Sequence, residues 1–160
     1  MVYYIVENHS NCDMPYNVGC HEAYALDGEF EDFYLKFEGE EGKVKCLEIK
    51  YDQLGKEFYD LPLEENGLKL WYPYFNKEAK ISEDRLGSGS LIFDDFKCKR
   101  VTLNKNGNDE VSVYYNDFKN LVVWTMPGAK FIAIEPWSGL PDLYDADKII
   151  EHKKSIDVLP

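Results

Sequence analysis

Long apolar runs are missing from this chain of 160 residues. No stretch approaches the roughly 20 apolar residues that a membrane-spanning helix needs. Nor does a basic region followed by an apolar stretch open the sequence, so a soluble, cytoplasmic protein is expected. Positive charge is also scarce, with 18 Lys and Arg against 30 Asp and Glu and a net charge of -12. Nucleic acids and anionic membranes both demand a basic face, so neither is an expected partner. Neutral sugars and cations stay compatible. The four cysteines, Cys12, Cys20, Cys46 and Cys98, fit no CxxC or zinc spacing. They are expected to be thiols, with a Cys12–Cys20 disulfide as the pairing left open. His9, His21 and His152 lie far apart, so no metal and no cofactor is expected.

Helical periodicity is nearly absent too; residues 147–153 offer at most one short turn. What is present is 44% hydrophobic and 15% aromatic residues, a composition that folds. The length suits one domain over residues 1–160. Short runs of strand character recur at 2–7, 33–38, 43–50, 90–93, 100–104, 110–115, 121–125 and 131–135, many alternating large apolar and polar groups. Asn106-Gly107 separates two of them and signals a hairpin, because both residues tolerate positive φ. Gly39-Glu40-Glu41-Gly42 is expected to be a second hairpin tip. Residues 76–89, rich in charge, read as a long exposed excursion. These features predict an all-β protein, an antiparallel β-sandwich.

Residues 131–142 read Phe-Ile-Ala-Ile-Glu-Pro-Trp-Ser-Gly-Leu-Pro-Asp. Proline cannot continue a sheet ladder, so the strand is expected to stop there with Glu135 at its rim. Flanked by Ile134 and Trp137, that carboxylate is partly desolvated, which raises its pKa and makes it a candidate general base. An ordinary strand-end acid, solvated or paired, fits the same spacing.

The wording of this segment resembles the last strand of the aldose 1-epimerase (galactose mutarotase-like) family, in its LacX-type branch. Other segments resemble that branch in the same order. They are residues 2–8 (Val-Tyr-Tyr-Ile-Val-Glu-Asn), 16–24 (Tyr-Asn-Val-Gly-Cys-His-Glu-Ala-Tyr), 30–37, 90–103 and 116–142, the last with Trp124 and Pro127-Gly128-Ala129. The resemblance implies part of a supersandwich fold and an isomerase that exchanges the α and β anomers of a hexose. It implies Glu135 as the base and His21 as the acid, acting from opposite sides of the sugar. Taken alone, His21 reads rather as a half-buried histidine hydrogen-bonded beside a glycine bend. Tyr24 and Trp137, neighbours of the presumed pair, are the candidate sugar-stacking residues.

Two departures from the family qualify this. The chain resembles roughly the C-terminal half of a member, without the preceding portion and its His-Gly-Phe-type motif. A substrate-binding aspartate is replaced by Gly89, with Glu83 or Asp84 as candidate substitutes. An enzyme incomplete or inactive alone is therefore one expectation. A carbohydrate-binding module and a sheet-completing subunit are the alternatives, with a homo-oligomer or a complementing N-terminal chain as partner. A sugar phosphate is the less expected ligand, because no Lys/Arg cluster is evident near the site, although Arg85 or Arg100 could contribute.

Overall fold

Alternation along the strands decides the architecture. In a computed structural model, residues 1–50, 53–75, 80–82, 85–86 and 90–160 are described. The strands, in chain order, are β1 (Met14–Tyr16), β2 (Glu22–Ala25), β3 (Phe33–Phe37), β4 (Lys43–Lys50), β5 (Gln53–Pro62), β6 (Leu68–Lys69), β7 (Lys80–Ser82), β8 (Arg85–Leu86), β9 (Ser90–Phe93), β10 (Arg100–Lys105), β11 (Asn108–Tyr114), β12 (Asn120–Trp124), β13 (Phe131–Trp137) and β14 (Asp157–Leu159). Their ladders are antiparallel. Two four-stranded sheets, ordered β11-β10-β3-β6 and β2-β13-β12-β9, supply the layers.

The core lies where their apolar faces meet. Leu35, Phe37, Val101 and Leu103 from one sheet join Leu91, Phe93, Leu121, Val123, Ile132 and Ile134 from the other in one buried cluster. Each such side chain, fully buried, stabilises the fold by about 1.5–3 kcal/mol before entropic costs. The expected antiparallel all-β sandwich is what forms.

β13 is buried on both faces. Its outer face is covered by a second cluster, in which Leu47, Leu54 and Leu140 close over Ile92 and Val122, with Trp137 packed against them. The β4–β5 hairpin reaches there through backbone bonds from Leu54 N to Asp142 O (3.1 Å) and from Tyr144 N to Leu54 O (2.9 Å). This hairpin thus fixes both the floor and one wall of the region around Trp137.

Several expectations are corrected. Residues 2–7 form no strand; Met1, Val2, Tyr3 and Ile5 are exposed, and the Tyr4 ring meets Phe118 edge-on at 6.1 Å. The Gly39–Gly42 segment is no hairpin tip, because β3 pairs with β10 and β6 while β4 pairs with β5. It crosses between sheets, and positive φ at Gly39 (81°) and Gly42 (72°) suits glycine there. The strand does not end at Glu135 either. Leu121 pairs with Pro136, whose carbonyl accepts from Cys20 N at 2.9 Å. In extended backbone a residue's N and C=O point to one side, so the missing N–H faces the Gly19–Cys20 segment rather than β12. The β12 ladder therefore loses nothing. Residues 147–153 hold only a 3-10 turn at Ile150–His152. Asn106-Gly107 does form the expected turn, with φ of 47° and 93°. Within 76–89, β7 and β8 pair with each other; Glu83, Asp84 and Gly89 lie outside the described residues, as does the Arg85 side chain.

The C-terminal segment is tied back to the second sheet at Asn120. This fully buried amide donates to Ser138 O and Ser155 Oγ, each at 3.1 Å, and accepts from Asp95 N at 3.1 Å. Replacing Asn120 by Ala strands those partners and is expected to lower stability by about 1–3 kcal/mol in urea unfolding. Ser155→Ala, which removes one of the contacts, is expected to cost less than Asn120→Ala in the same measurement.

Candidate functional site

Register brings His21 and Glu135 together. Ile134 pairs with Glu22, so the next antiparallel step sets His21 beside Glu135. Both point away from the main core, because Ile132 and Ile134 point into it. The His21 Nε2 and Glu135 Oε1 atoms are 3.4 Å apart. The carboxylate side chain is only 2% exposed and the imidazole 63%. The pair thus stands in direct contact, one member sunk in the sheet and the other facing solvent.

Burial sets the electrostatics. Desolvation pushes the Glu135 carboxyl up from 4.5 to about 7, with Glu22 adding a small push the same way. The nearby imidazole, and the Trp137 indole to a lesser degree, pull it down without overcoming burial. Such a carboxyl exchanges its proton near neutral pH.

Aromatic side chains frame the pair. Trp137, two residues beyond Glu135 on the same face, donates Nε1–H to Cys20 O at 3.0 Å. Its indole lies so close to Gly19 that an added Cβ would meet Trp137 Cδ1 at 2.5 Å. Glycine is required there by proximity, not by backbone conformation. Trp124 meets the His21 ring edge-on at 5.7 Å and packs on Phe131 at 5.5 Å. Across the register, Ala23 pairs with Ala133, and these small residues leave the face shallow beside the aromatics.

A cleft of about 400 Å³ opens here, walled by Asn17, Gly19, His21, Trp137, Pro141 and Lys153 among others. Its size falls within the usual range for small-molecule sites, about 300–1,000 Å³. Glu135 contributes no wall to it, whereas His21, in contact with that carboxylate, does. Trp137 also borders a smaller cavity of about 190 Å³, whose walls include Ile49, Leu54, Ile92 and Val122. A larger cleft of about 510 Å³ elsewhere is walled by Glu40, Glu41, Glu64, Glu65 and Lys36. It holds no histidine, so acid–base chemistry points to the His21 cleft instead.

Of the four residues expected at the site, three converge: His21, Glu135 and Trp137. Tyr24 is the exception, because it lies three residues from His21 and a strand alternates faces. It pairs with Ile132 and packs against the main core, on the opposite side of the sheet. Trp124 and Lys153 were not anticipated as site residues. Counting β12 in steps of two from the Glu135 partner Val122 would have found Trp124; no local signal pointed to Lys153. The expected separation of acid and base across a sugar is also not what forms. No disulfide joins the cysteines. Among the described residues, no group of three or more His, Cys, Asp or Glu is placed to hold a metal, and no helix is long and apolar enough to cross a membrane.

Comparison with known proteins agrees with the fold. No family model matches the sequence. The plasmid and chromosomal LacX proteins of Lactococcus lactis are each 32% identical over 160 aligned positions, covering 92% of this chain and 48% of theirs. A galactose mutarotase-like protein from Lactobacillus casei superposes with a TM-score of 0.77 at 25% identity, over 95% of this chain and 51% of that one. A galactose mutarotase related enzyme from Lactobacillus acidophilus gives a TM-score of 0.70 at 24% identity, over 92% and 48%. The fold is galactose mutarotase-like, the resemblance to LacX is real, and the chain spans about half the length of these relatives.

A carboxyl held up by burial carries a signature in stability. Its proton is bound more tightly in the folded state, so this contribution is full below the unfolded pKa and is lost as pH rises toward about 7. Between roughly pH 4.5 and 7 the wild type should therefore lose stability relative to Glu135→Gln, by at most roughly 3 kcal/mol. Urea midpoints of both proteins across that range test this; a constant difference contradicts it.

Proposed function

We propose that this chain, related to aldose epimerase-like proteins over about half their length, exchanges the α and β anomers of an aldose at the His21–Glu135 pair. The observation that supports it is the buried, pKa-raised carboxylate in contact with an imidazole at the edge of a sugar-sized cleft.

The reaction follows from which atoms exchange protons. Glu135 takes the proton of the anomeric hydroxyl while the His21 imidazolium protonates the ring oxygen. The C1–O5 bond breaks, its electrons go to O5, and the O1–C1 bond becomes a carbonyl. Rotation about C1–C2 presents the other carbonyl face, and closure reverses both transfers. Both reacting oxygens are bonded to the same carbon, so an acid and a base lying side by side suit the step better than a pair separated by the sugar. The protons held by the pair are conserved in each half-reaction, and a base with a pKa near the working pH is the efficient choice. The exposed imidazole is the member that moves to admit the substrate to the carboxylate. The Trp137 indole supplies an apolar surface for one sugar face.

A second reading, sugar binding without turnover, draws on the 1% exposure of Glu135 and on the chain's length relative to its relatives. Magnetisation transfer between the anomers of glucose and of galactose separates the two. Under the first reading, added protein accelerates exchange, Glu135→Gln abolishes the acceleration, and His21→Asn lowers it about 100-fold or more. Under the second, tryptophan fluorescence responds to sugar while exchange stays at the uncatalysed rate.

A further inference from the structure

Among the described residues, Lys153 is the one lysine or arginine in the wall of the His21–Trp137 cleft. It arrives there through the fold, 18 positions after Glu135, on a tail fastened at each side. Ser155 Oγ accepts from Asn120 at 3.1 Å, Lys154 pairs with Asp94 at 2.7 Å, and His152 pairs with Asp147 at 2.7 Å. These contacts hold its neighbours elsewhere, while Lys153, 24% exposed, stands between this cleft and an adjoining one of about 250 Å³ that Asp142 and Lys148 also line.

Its charge is incompletely matched. Lys153 Nζ is 3.5 Å from Asp142 Oδ1, and Lys148 Nζ is 3.8 Å from Asp142 Oδ2. One carboxylate thus stands between two ammonium groups, neither within hydrogen-bonding distance, while Asp145 is paired with Lys56 at 2.5 Å. Asp142 can keep Lys148 when Lys153 turns to a ligand. The net charge of -12 opposes an approaching anion from afar. At physiological ionic strength that field is screened beyond about 8 Å, so the local lysine decides the bound state.

We propose that Lys153 is a specificity-determining residue that receives an anionic group on the sugar, so that the substrate is an aldose bearing phosphate or carboxylate. This rests on the anomer-exchange reading of the same cleft and narrows it. The anion cannot sit on O1, whose proton the reaction removes; a 6-phosphate and a 6-carboxylate both leave C1 free. A lysine meets either as a point charge without demanding a planar partner.

Binding of glucose, glucose 6-phosphate, glucuronate and inorganic phosphate by calorimetry, at two salt concentrations, tests this on the full chain. At least one anionic hexose should bind tenfold or more tightly than glucose. That advantage should fall about tenfold in Lys153→Ala, return in Lys153→Arg and shrink with salt. Preference for glucose 6-phosphate identifies a phosphate ester, and preference for glucuronate a carboxylate. Equal affinity for glucose, an unchanged preference in a folded Lys153→Ala, or phosphate alone binding as tightly as the hexose phosphate overturns the proposal. Anomer exchange separates its fate from that of the parent reading. Exchange of glucose without anion preference defeats only the role of Lys153. Lysine-dependent binding without exchange of any sugar defeats only the catalytic reading.

Discussion

One carboxylate inside a sheet sets the terms for everything around it. Glu135 sits in β13, a strand buried on both faces, and an ionised carboxyl there would be costly if left alone. Two features meet that cost. The carboxyl holds its proton to about pH 7, and an imidazole lies 3.4 Å away to take up the charge when the proton leaves. The same desolvation that makes the position unfavourable for a structural acid makes it a serviceable base. Removing the burial would return Glu135 to an ordinary acid, whereas removing the imidazole would leave burial less opposed and push its carboxyl further up.

Distant parts of the chain maintain that burial. The β4–β5 hairpin, held to Asp142 and Tyr144 through Leu54, packs Leu47 and Leu54 over Ile92 and Val122 beside Trp137. Gly19 lets the indole lie against the backbone, and the indole in turn bonds to Cys20 O next to His21. Gly139 plays a similar part, since a Cβ there would fall 1.9 Å from Asn17 Oδ1, another wall of the cleft. The tail anchored at Asn120 completes the enclosure with Lys153. The site is a product of tertiary packing on one face of a four-stranded sheet rather than of any single motif.

Much of this was legible in the sequence, for physical reasons that also explain what was not. Strands with strict alternation, such as 33–38 and 100–104, declared themselves because one face of each is apolar. Asn106-Gly107 did so because positive φ favours that pair. The β5 strand, Gln53–Pro62, was missed because its apolar residues are interrupted by Gly55 and by charge, and its pairing with β4 overrides weak local preference. Residues 2–7 have strand character but no partner to complete a ladder, so propensity alone misled. Pro136 was read as a terminator, although its missing N–H points to a side where the ladder does not need it. Tyr24 was a misapplied rule: residues three apart on a strand face opposite ways, a fact available without a structure. Lys153 was not legible at all, since only the path of the tail brings it to the cleft.

The central claim is that Glu135 is a buried carboxyl, in contact with His21, that titrates near neutrality. The most direct measurement is a carboxyl-carbon NMR titration of the protein labelled at glutamate, with Glu135→Gln used to assign the resonance. A midpoint near pH 7 for Glu135 is the predicted result. A midpoint near the ordinary value of 4.5 would mean that the carboxylate is solvated or paired throughout, and would contradict the account.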